Sequence, residues 1–403
     1  MSRRLNLLVF NQYYWPGVEA TARLLTQLCE ELATDFDVTV VTGCLRLSAD
    51  HPERVSRNGV RIIRVPSTTF DRSPLIPRAV NYLTFLASSF WTGLRLDPPD
   101  VILCMTDPPV LASVALPVAR RYGVPLVVVT QDVFPEIAVL LGRIEQPILV
   151  ELLRRVIGFS LERADSIVAI GDTMRVRLEA KGVRHERIAV IPNWADTAEI
   201  APAPRDNDWA REQGLEARFV VMHSGNVGYA QDLETLIRAS TLLRDLDDLR
   251  VVVIGTGARH DALTELAARI EADAVSFLPY QAAEIVSTSL SSADVHFVGL
   301  AKSLAGYVVP SRLYGIMAAA RPVLVSAEPE SETARLVSDV ACGIVVPPGR
   351  VDLVAGAIRG LRAGDHDLEA MGRRGLDYVR SEGNREIAVG RYRDLLVSVA
   401  GRS

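Results

Sequence analysis

Two series of short valine- and isoleucine-rich runs, each run followed by a longer stretch of helical period, occupy most of this 403-residue chain. A strand buried on both faces reads as a continuous apolar run, and a helix is the usual crossover to a parallel neighbour. The alternation therefore specifies parallel sheets covered by helices. In the first half strands are expected at Leu7 to Phe10, Val38 to Thr42, Val60 to Val65, Val101 to Met105, Leu126 to Thr130, Ser166 to Ile170 and Ile188 to Ile191. The second half restarts with Phe219 to Met222, then Val251 to Ile254, Val275 to Leu278, Val295 to Val298, Val323 to Val325 and Ile344 to Val346. Between them the segment IPNWADTAEIAPAPRDND, with its prolines, asparagines and aspartates, breaks all periodicity. From Asp352 onward only successive helices are expected, the last from about Arg385 to Val399. The fold class is α/β, with one domain over 1–192, a linker over 193–218, a second domain over 219–380, and a closing helix over 381–403 that returns toward the first domain.

Composition narrows the function classes. With 49% hydrophobic residues and a mean hydropathy of +0.18, the chain has apolar surface for two large cores and is not disordered. Cys29, Cys44, Cys104 and Cys342 lie far apart without a CxxC spacing, which argues against a disulfide scaffold or a cysteine zinc cluster. The apolar run before Asn11 is too short for a signal peptide or a membrane span, so a cytoplasmic protein is expected. The net charge of −5 and its distribution do not suit a nucleic-acid binder. Residues 54–95 stand apart, with Arg54, Arg57, Arg61, Arg64, Arg72, Arg78 and Arg95 against the single acid Asp71, interleaved with Phe70, Tyr82, Phe85, Phe90 and Trp91. A helix from Ala79 to Leu96 in that stretch is too polar to span a bilayer but suits lying on an anionic surface; its alternative is to turn its aromatics into the domain.

In open α/β sheets, ligands bind beyond the carboxyl ends of strands, where helix N-termini and glycine loops offer N–H groups to phosphate. Three exits in the second half suit that. Gly225, Asn226 and Gly228 follow Phe219 to Met222; Gly255 and Gly257 follow Val251 to Ile254; and Pro310, Ser311 and Arg312 open a short Ala-rich helix, with Lys302 in the loop before it. Pro310 fits a first helical position, and Arg312 there runs against the macrodipole preference, as an anionic ligand would explain. A nicotinamide site does not fit, because the third glycine is missing and no acid ends the next strand. The pairs Asp245/Asp247 and Asp365/Asp367 sit in polar connections and read as solvated caps, and none of the histidines His51, His185, His223, His260, His296 and His366 has a metal spacing, so no metal is expected. In the first half, Gly17 and Glu19, then Asp107, then Gln131, Asp132 and Glu136 follow strands and supply acids suited to sugar hydroxyls.

Taken in order, NQYYWPGVEAT, TDPP, QDVFPE, VIPNWAD, SGNVG, VIGTG and VVPSRLYGIMAAARPV resemble the retaining family 4 glycosyltransferases of GT-B fold, and within them the enzymes of colanic-acid, O-antigen and capsule assembly. The resemblance implies two facing Rossmann-like domains, the second holding a nucleotide sugar and the first an acceptor. It places Gly225, Asn226, Gly228, Lys302, Pro310, Ser311, Arg312 and Tyr314 at the diphosphate and Gly257 and Tyr280 near the base. Gly17, Glu19, Asp107, Gln131, Asp132 and Glu136 would line the acceptor side, with Glu19 and Asp132 joining Arg312 and Lys302 as catalytic candidates. This chain departs from many members in having Asn226 and Ala230-Gln231 in place of an arginine and a lysine, and Tyr307 and Gly315 in place of two glutamates; Arg321 is then a further source of charge and Glu332 a replacement acid for the ribose. The implied reaction is metal-free, cofactor-free transfer of a sugar from a UDP-sugar or other nucleotide diphosphate donor to a hydroxyl of a glycan, soluble or lipid-linked. A sugar-nucleotide epimerase, a natural-product glycosyltransferase with a soluble acceptor, and a non-catalytic binder of the same fold are the alternatives.

Overall fold

The structure, a computed structural model, describes residues 3–17, 19–43, 53–68, 70 and 75–401. Cys44, His51, Asp71 and Arg72 lie outside them, as do the ends of the chain. The chain divides into two compact units, one made of residues up to Pro192 together with those from Glu386 onward, the other running from Asn193 to Arg385.

The first unit holds an eight-stranded sheet of β1 (Leu5–Phe10), β2 (Phe36–Gly43), β3 (Arg54–Arg57), β4 (Val60–Val65), β5 (Val101–Met105), β6 (Leu126–Thr130), β7 (Ser166–Ala169) and β8 (Ile188–Val190), in the order β3-β4-β2-β1-β5-β6-β7-β8. All neighbours pair in parallel except β3, which runs antiparallel to β4. That edge strand is absent from the sequence reading. Its R-V-S-R run carries no apolar signal, but Asn58 and Gly59, at φ 45° and 81°, form the tight reversal that asparagine-glycine pairs favour in hairpins. The closing helix Arg385–Ala400 belongs almost wholly to this unit, with an ion pair of 2.6 Å between Arg393 and Asp35.

The second unit holds β9 (Phe219–Ser224), β10 (Leu249–Ile254), β11 (Val275–Leu278), β12 (Val295–Gly299), β13 (Val323–Ser326) and β14 (Gly343–Val346), all parallel, in the order β11-β10-β9-β12-β13-β14. Strand alternation splits the core between the two faces. Val221, Val251, Val253, Val295 and Phe297 pack under the helices Leu233–Thr241, His260–Arg269 and Val351–Ala363, while Val220, Met222, Val252 and Ile254 pack against Trp209 and Leu215. Burying each such side chain contributes about 1.5–3 kcal/mol.

Residues 193–218 are therefore part of the second unit, not a free linker. Trp209 is buried and donates Nε1–H to Gln281 at 2.9 Å, Asn207 caps the turn before it, and Arg205 pairs with Asp294 at 2.9 Å. In both sheets the chain first builds outward in one direction and then in the other, reversing between β1 and β5 and between β9 and β12. Such reversals open a crevice at the carboxyl edge, where adjacent connections leave on opposite faces.

Candidate active site

In the second unit the crevice lies beyond β9 and β12. Gly225 takes φ 141°, a conformation that side chains resist, and a Cβ there would stand 3.4 Å from Cζ of Arg312. The following loop packs backbone to backbone against its neighbour: a Cβ on Gly255 would lie 1.9 Å from the carbonyl oxygen of Gly225, and one on Gly257 would lie 2.3 Å from that of Val227. Gly257 is thus demanded by a close approach within the fold itself.

The loop amides correct one expectation. Gly225 N–H donates to Ile254 O at 2.9 Å, Val227 N–H to Thr256 O at 2.9 Å, and Gly228 N–H to the Gln231 side chain at 3.0 Å. Asn226 N–H alone of the four has no acceptor among the described residues, so the loop is not a four-amide phosphate cradle. Four residues past Gly228, Asp232 sits at φ 46° and anchors the far end of the loop; its carboxylate accepts from Thr235 Oγ1 at 2.8 Å, from Ser326 Oγ at 3.1 Å and from Gly349 N–H at 3.1 Å.

Arg312 opens the helix Arg312–Ala318, with Ser311 as its uncapped flanking residue. Pro310 lies two positions before the first helical residue, not at it, because the backbone reaches helical hydrogen bonding only past Ser311. The side chain is half-buried, and burial lowers its pKa to about 10. No carboxylate among the described residues pairs with it. Its Nη1 instead lies 2.8 Å from Nδ1 and 2.7 Å from Nε2 of His223, a fully buried residue of β9. Burial, followed by the Arg312 charge, holds His223 well below the usual histidine range, so the imidazole is neutral. Sequence reasoning missed His223; the available signal was a polar residue one place from the end of a buried strand, directly before a glycine loop.

Other candidates on this edge are Tyr280, 51% exposed and stacked near Gly255, Lys302 and Asn226, both exposed, and Glu332 in the first turn of the helix Glu332–Val340, whose cap is Ser331. Two assignments fail. Tyr314 is only 2% exposed and packs beside Gly383, which makes it a core residue. Arg321 precedes β13, at the amino edge, and donates to Ala203 O at 3.3 Å, so it supplies no charge to the site. Gly315 faces Ile200, with 3.3 Å from an added Cβ to Ile200 Cδ1. Asp245 pairs with Arg359 at 2.6 Å and Asp367 caps the helix Leu368–Ser381, while no group of three His, Cys, Asp or Glu among the described residues is arranged to hold a metal.

In the first unit, Gly17, Glu19, Asp107, Gln131 and Asp132 follow β1, β5 and β6 at the carboxyl edge. Glu19 folds back over Gly17, with Oε2 2.7 Å from the position of an added Cβ. Gln131 is buried, its N–H donating to Thr106 Oγ1 at 3.2 Å. Asp132 is pushed up to about 7, by burial first and by the Asp107 charge second. Glu136 departs from the reading as an acid offered to a ligand: it is held by Lys181 at 2.7 Å and Arg154 at 3.3 Å. Partial burial acts to raise its pKa, but these hydrogen bonds and the Lys181 charge prevail and keep it below the usual carboxylate range.

The arginines of 54–95 do not form one surface either. Arg57 pairs with Glu30 at 2.7 Å and covers the Trp15 ring, and Arg64 is buried and donates to Trp15 O at 3.1 Å. The helix Leu75–Gly93 buries Phe85 completely but exposes Leu83 (65%) and Trp91 (57%), with Arg95 against the Trp91 ring. No helix among the described residues is long and apolar enough to cross a membrane.

Two Rossmann-like parallel-sheet units, each with a crevice at its reversal point, define the class as GT-B. The comparisons place the chain within it: residues 19–194 match the glycosyl transferase 4-like domain and residues 218–363 the glycosyl transferases group 1 domain. The chain belongs to this family of glycosyltransferases. It is 30% identical to the probable glycosyltransferase WbjE of Pseudomonas aeruginosa over 62% of each chain, and 29% identical to the colanic acid biosynthesis glycosyl transferase WcaI of Escherichia coli over 52% of this chain and 53% of that one. The similarity thus spans less than two thirds of these relatives' length. Among solved structures, a sucrose-phosphate synthase from Thermosynechococcus elongatus aligns at TM-score 0.82 and 17% identity over 99% of this chain and 100% of that one. The Anabaena protein HepE in complex with UDP-glucose aligns at 0.75 and 16% over 98% and 100%.

Proposed function

We propose that this protein is a retaining glycosyltransferase that moves a sugar from a nucleotide diphosphate donor, a UDP-sugar, to a hydroxyl of a glycan acceptor carried on a lipid. The observation that carries the reading is Arg312: a partly buried guanidinium without a carboxylate partner among the described residues, at the carboxyl-edge reversal of the second sheet, suits an anion supplied by a ligand. A diphosphate there would meet Arg312, Asn226 N–H, Ser311 and the mobile charge of Lys302, with Tyr280 beside Gly255 placed for the base and Glu332 for the ribose. As the anomeric carbon–oxygen bond breaks, charge grows on the leaving phosphate, and fixed donors that need no reorganisation stabilise it. The leaving oxygen then takes the acceptor proton, with Asp132 and Glu19 as acids of the acceptor domain.

The exposed stripe of Leu83, Ala87, Trp91 and Arg95 supports contact with an anionic membrane surface at the cytoplasmic face, where a lipid-linked acceptor would lie. Direct tests are available. Thermal shift with UDP-, GDP-, ADP- and TDP-sugars identifies the donor, since a ligand at 100 times its Kd stabilises by about 2.7 kcal/mol. Turnover is then followed with and without lipid extract. Acceptor-dependent transfer that survives EDTA and keeps the anomeric configuration is expected; conversion of the donor alone would make the protein an epimerase, and loss of activity on chelation would overturn the metal-free mechanism.

A further inference from the structure

His223 does not lie idle under Arg312. Its Nε2 lies 3.3 Å from Asn226 O, and Nη1 of Arg312 lies within 2.8 Å of both ring nitrogens, so the neutral ring turns its single lone pair to the guanidinium. Arg312 N–H and a solvent proton therefore compete for one lone pair. A second proton on the ring is incompatible with the present contact, because two N–H groups would then point at each other and two cations would touch. No acid among the described residues is positioned to relieve that pair. The titratable groups facing the ring and its arginine are Arg312 from its helix, His296 from β12, and Tyr280 beside Arg312, and the backbone of Phe297 also bonds the ring. His296 is itself fixed as a neutral donor, its Nε2 lying 2.8 Å from Leu290 O.

We propose that binding of the donor diphosphate is coupled to proton uptake by the His223 ring, which turns a buttress of Arg312 into a second cation beneath the phosphate loop. The step balances simply. An anion on the loop draws Nη1 toward itself, the hydrogen bond from Nη1–H to the ring breaks, and a proton from solvent takes the lone pair. The imidazolium then has Asn226 O as the acceptor of one N–H, and the anion's charge offsets the repulsion from Arg312. This rests on the proposed donor reading, and it accounts for a chain that carries Asn226 and Gln231 where the sequence offers no further fixed cation on the loop. His223 is a positioning residue here, since it is fully buried and acts through Arg312 and the loop carbonyl.

Isothermal titration calorimetry of the whole chain tests the coupling, with UDP-glucose and GDP-mannose as probes because neither has a phosphate that titrates near neutrality. Titrations at pH 6 in buffers of different ionisation enthalpy should show net proton uptake approaching one per ligand, with affinity weakening by up to about tenfold per pH unit as pH rises. His223→Asn, whose Oδ1 can still accept from Arg312 but cannot be protonated, should bind with no uptake and a flat pH profile. Donor binding with identical apparent enthalpy in every wild-type buffer between pH 5.5 and 7.5 overturns the coupling while leaving the donor reading intact, and needs no variant to fold. Uptake that persists undiminished in His223→Asn overturns the assignment to this residue, and failure of both probes to bind removes the donor reading with it.

Discussion

Arg312→Met separates a ligand-binding arginine from a structural one. An arginine that holds the fold together lies beside carboxylates and raises stability, whereas Arg312 is half-buried with its pKa lowered to about 10 by burial. Relative to an ordinary arginine at 12.5, and at about 1.4 kcal/mol per unit, the folded state bears a cost of roughly 3 kcal/mol for the charge; remaining solvent access lowers this to about 2. Methionine keeps the length and the dispersion contacts, and its loss of the His223 hydrogen bond costs about 1 kcal/mol. The net expectation is a gain near 1 kcal/mol, or a rise in Tm of about 2–4 °C for a unit of this size. Nucleotide sugar should raise the wild-type Tm and leave that of the variant unmoved, while turnover falls by about a hundredfold or more, as for loss of one donor to a developing oxyanion. Differential scanning fluorimetry with and without donor reads the first two effects and a transfer assay the third. A variant that loses several degrees without ligand, or that keeps its donor-induced shift, would refute the reasoning.

Asp132→Asn should raise the stability of the first unit at pH 8. Its raised pKa favours the protonated form, so the stabilisation is complete below about pH 4 and is lost as pH rises through about 7; urea midpoints at pH 5.5 and 8 should differ less in the variant than in wild type, the group itself accounting for about 1–2 kcal/mol. Gly372→Ala should destabilise by about 2 kcal/mol or more, because the new Cβ would lie 2.1 Å from the carbonyl oxygen of Ala320, a backbone atom, and denaturant unfolding checks it. Ala320→Gly, at φ 53°, should instead be neutral or stabilising by about 0.5–1 kcal/mol. Leu83→Gln combined with Trp91→Gln should abolish co-sedimentation with anionic liposomes without lowering Tm, since both side chains face outward; equal binding by the variant would exclude that stripe as the contact.

The parallel strands were legible because the inner strands β1, β5 to β7, β9, β10, β12 and β13 are largely buried apolar runs, and β2, β4, β8, β11 and β14, though partly exposed, keep mainly apolar residues. β3 was not, since an edge strand made of Arg54, Val55, Ser56 and Arg57 satisfies its backbone without needing apolar side chains, and only Asn58-Gly59 betrayed it. The site divides the same way. Arg312 could be found because it violates a local rule at a helix start. His223 could not, because its role depends on a contact 89 positions away in sequence. The failed assignments of Tyr314, Arg321 and Glu136 share a cause: adjacency to a motif says nothing about which way a side chain points, and Arg321 lies at the opposite end of its strand from Glu332.

The interlocked glycines of the second unit constrain how this protein can change. Because Gly255 leaves no room beside the carbonyl of Gly225, and Gly257 none beside that of Val227, the two loops are tied together, with the amides of Gly225, Val227 and Gly228 already engaged. A mutation in either is felt by the other, so new donor preferences are hard to reach through them one substitution at a time. Variation has freer play at the exposed rim, in Asn226, Tyr280 and Lys302, where a side chain can be exchanged without disturbing a backbone contact. Libraries aimed at altered sugar or base selectivity are accordingly best confined to those three positions, with the glycines held fixed.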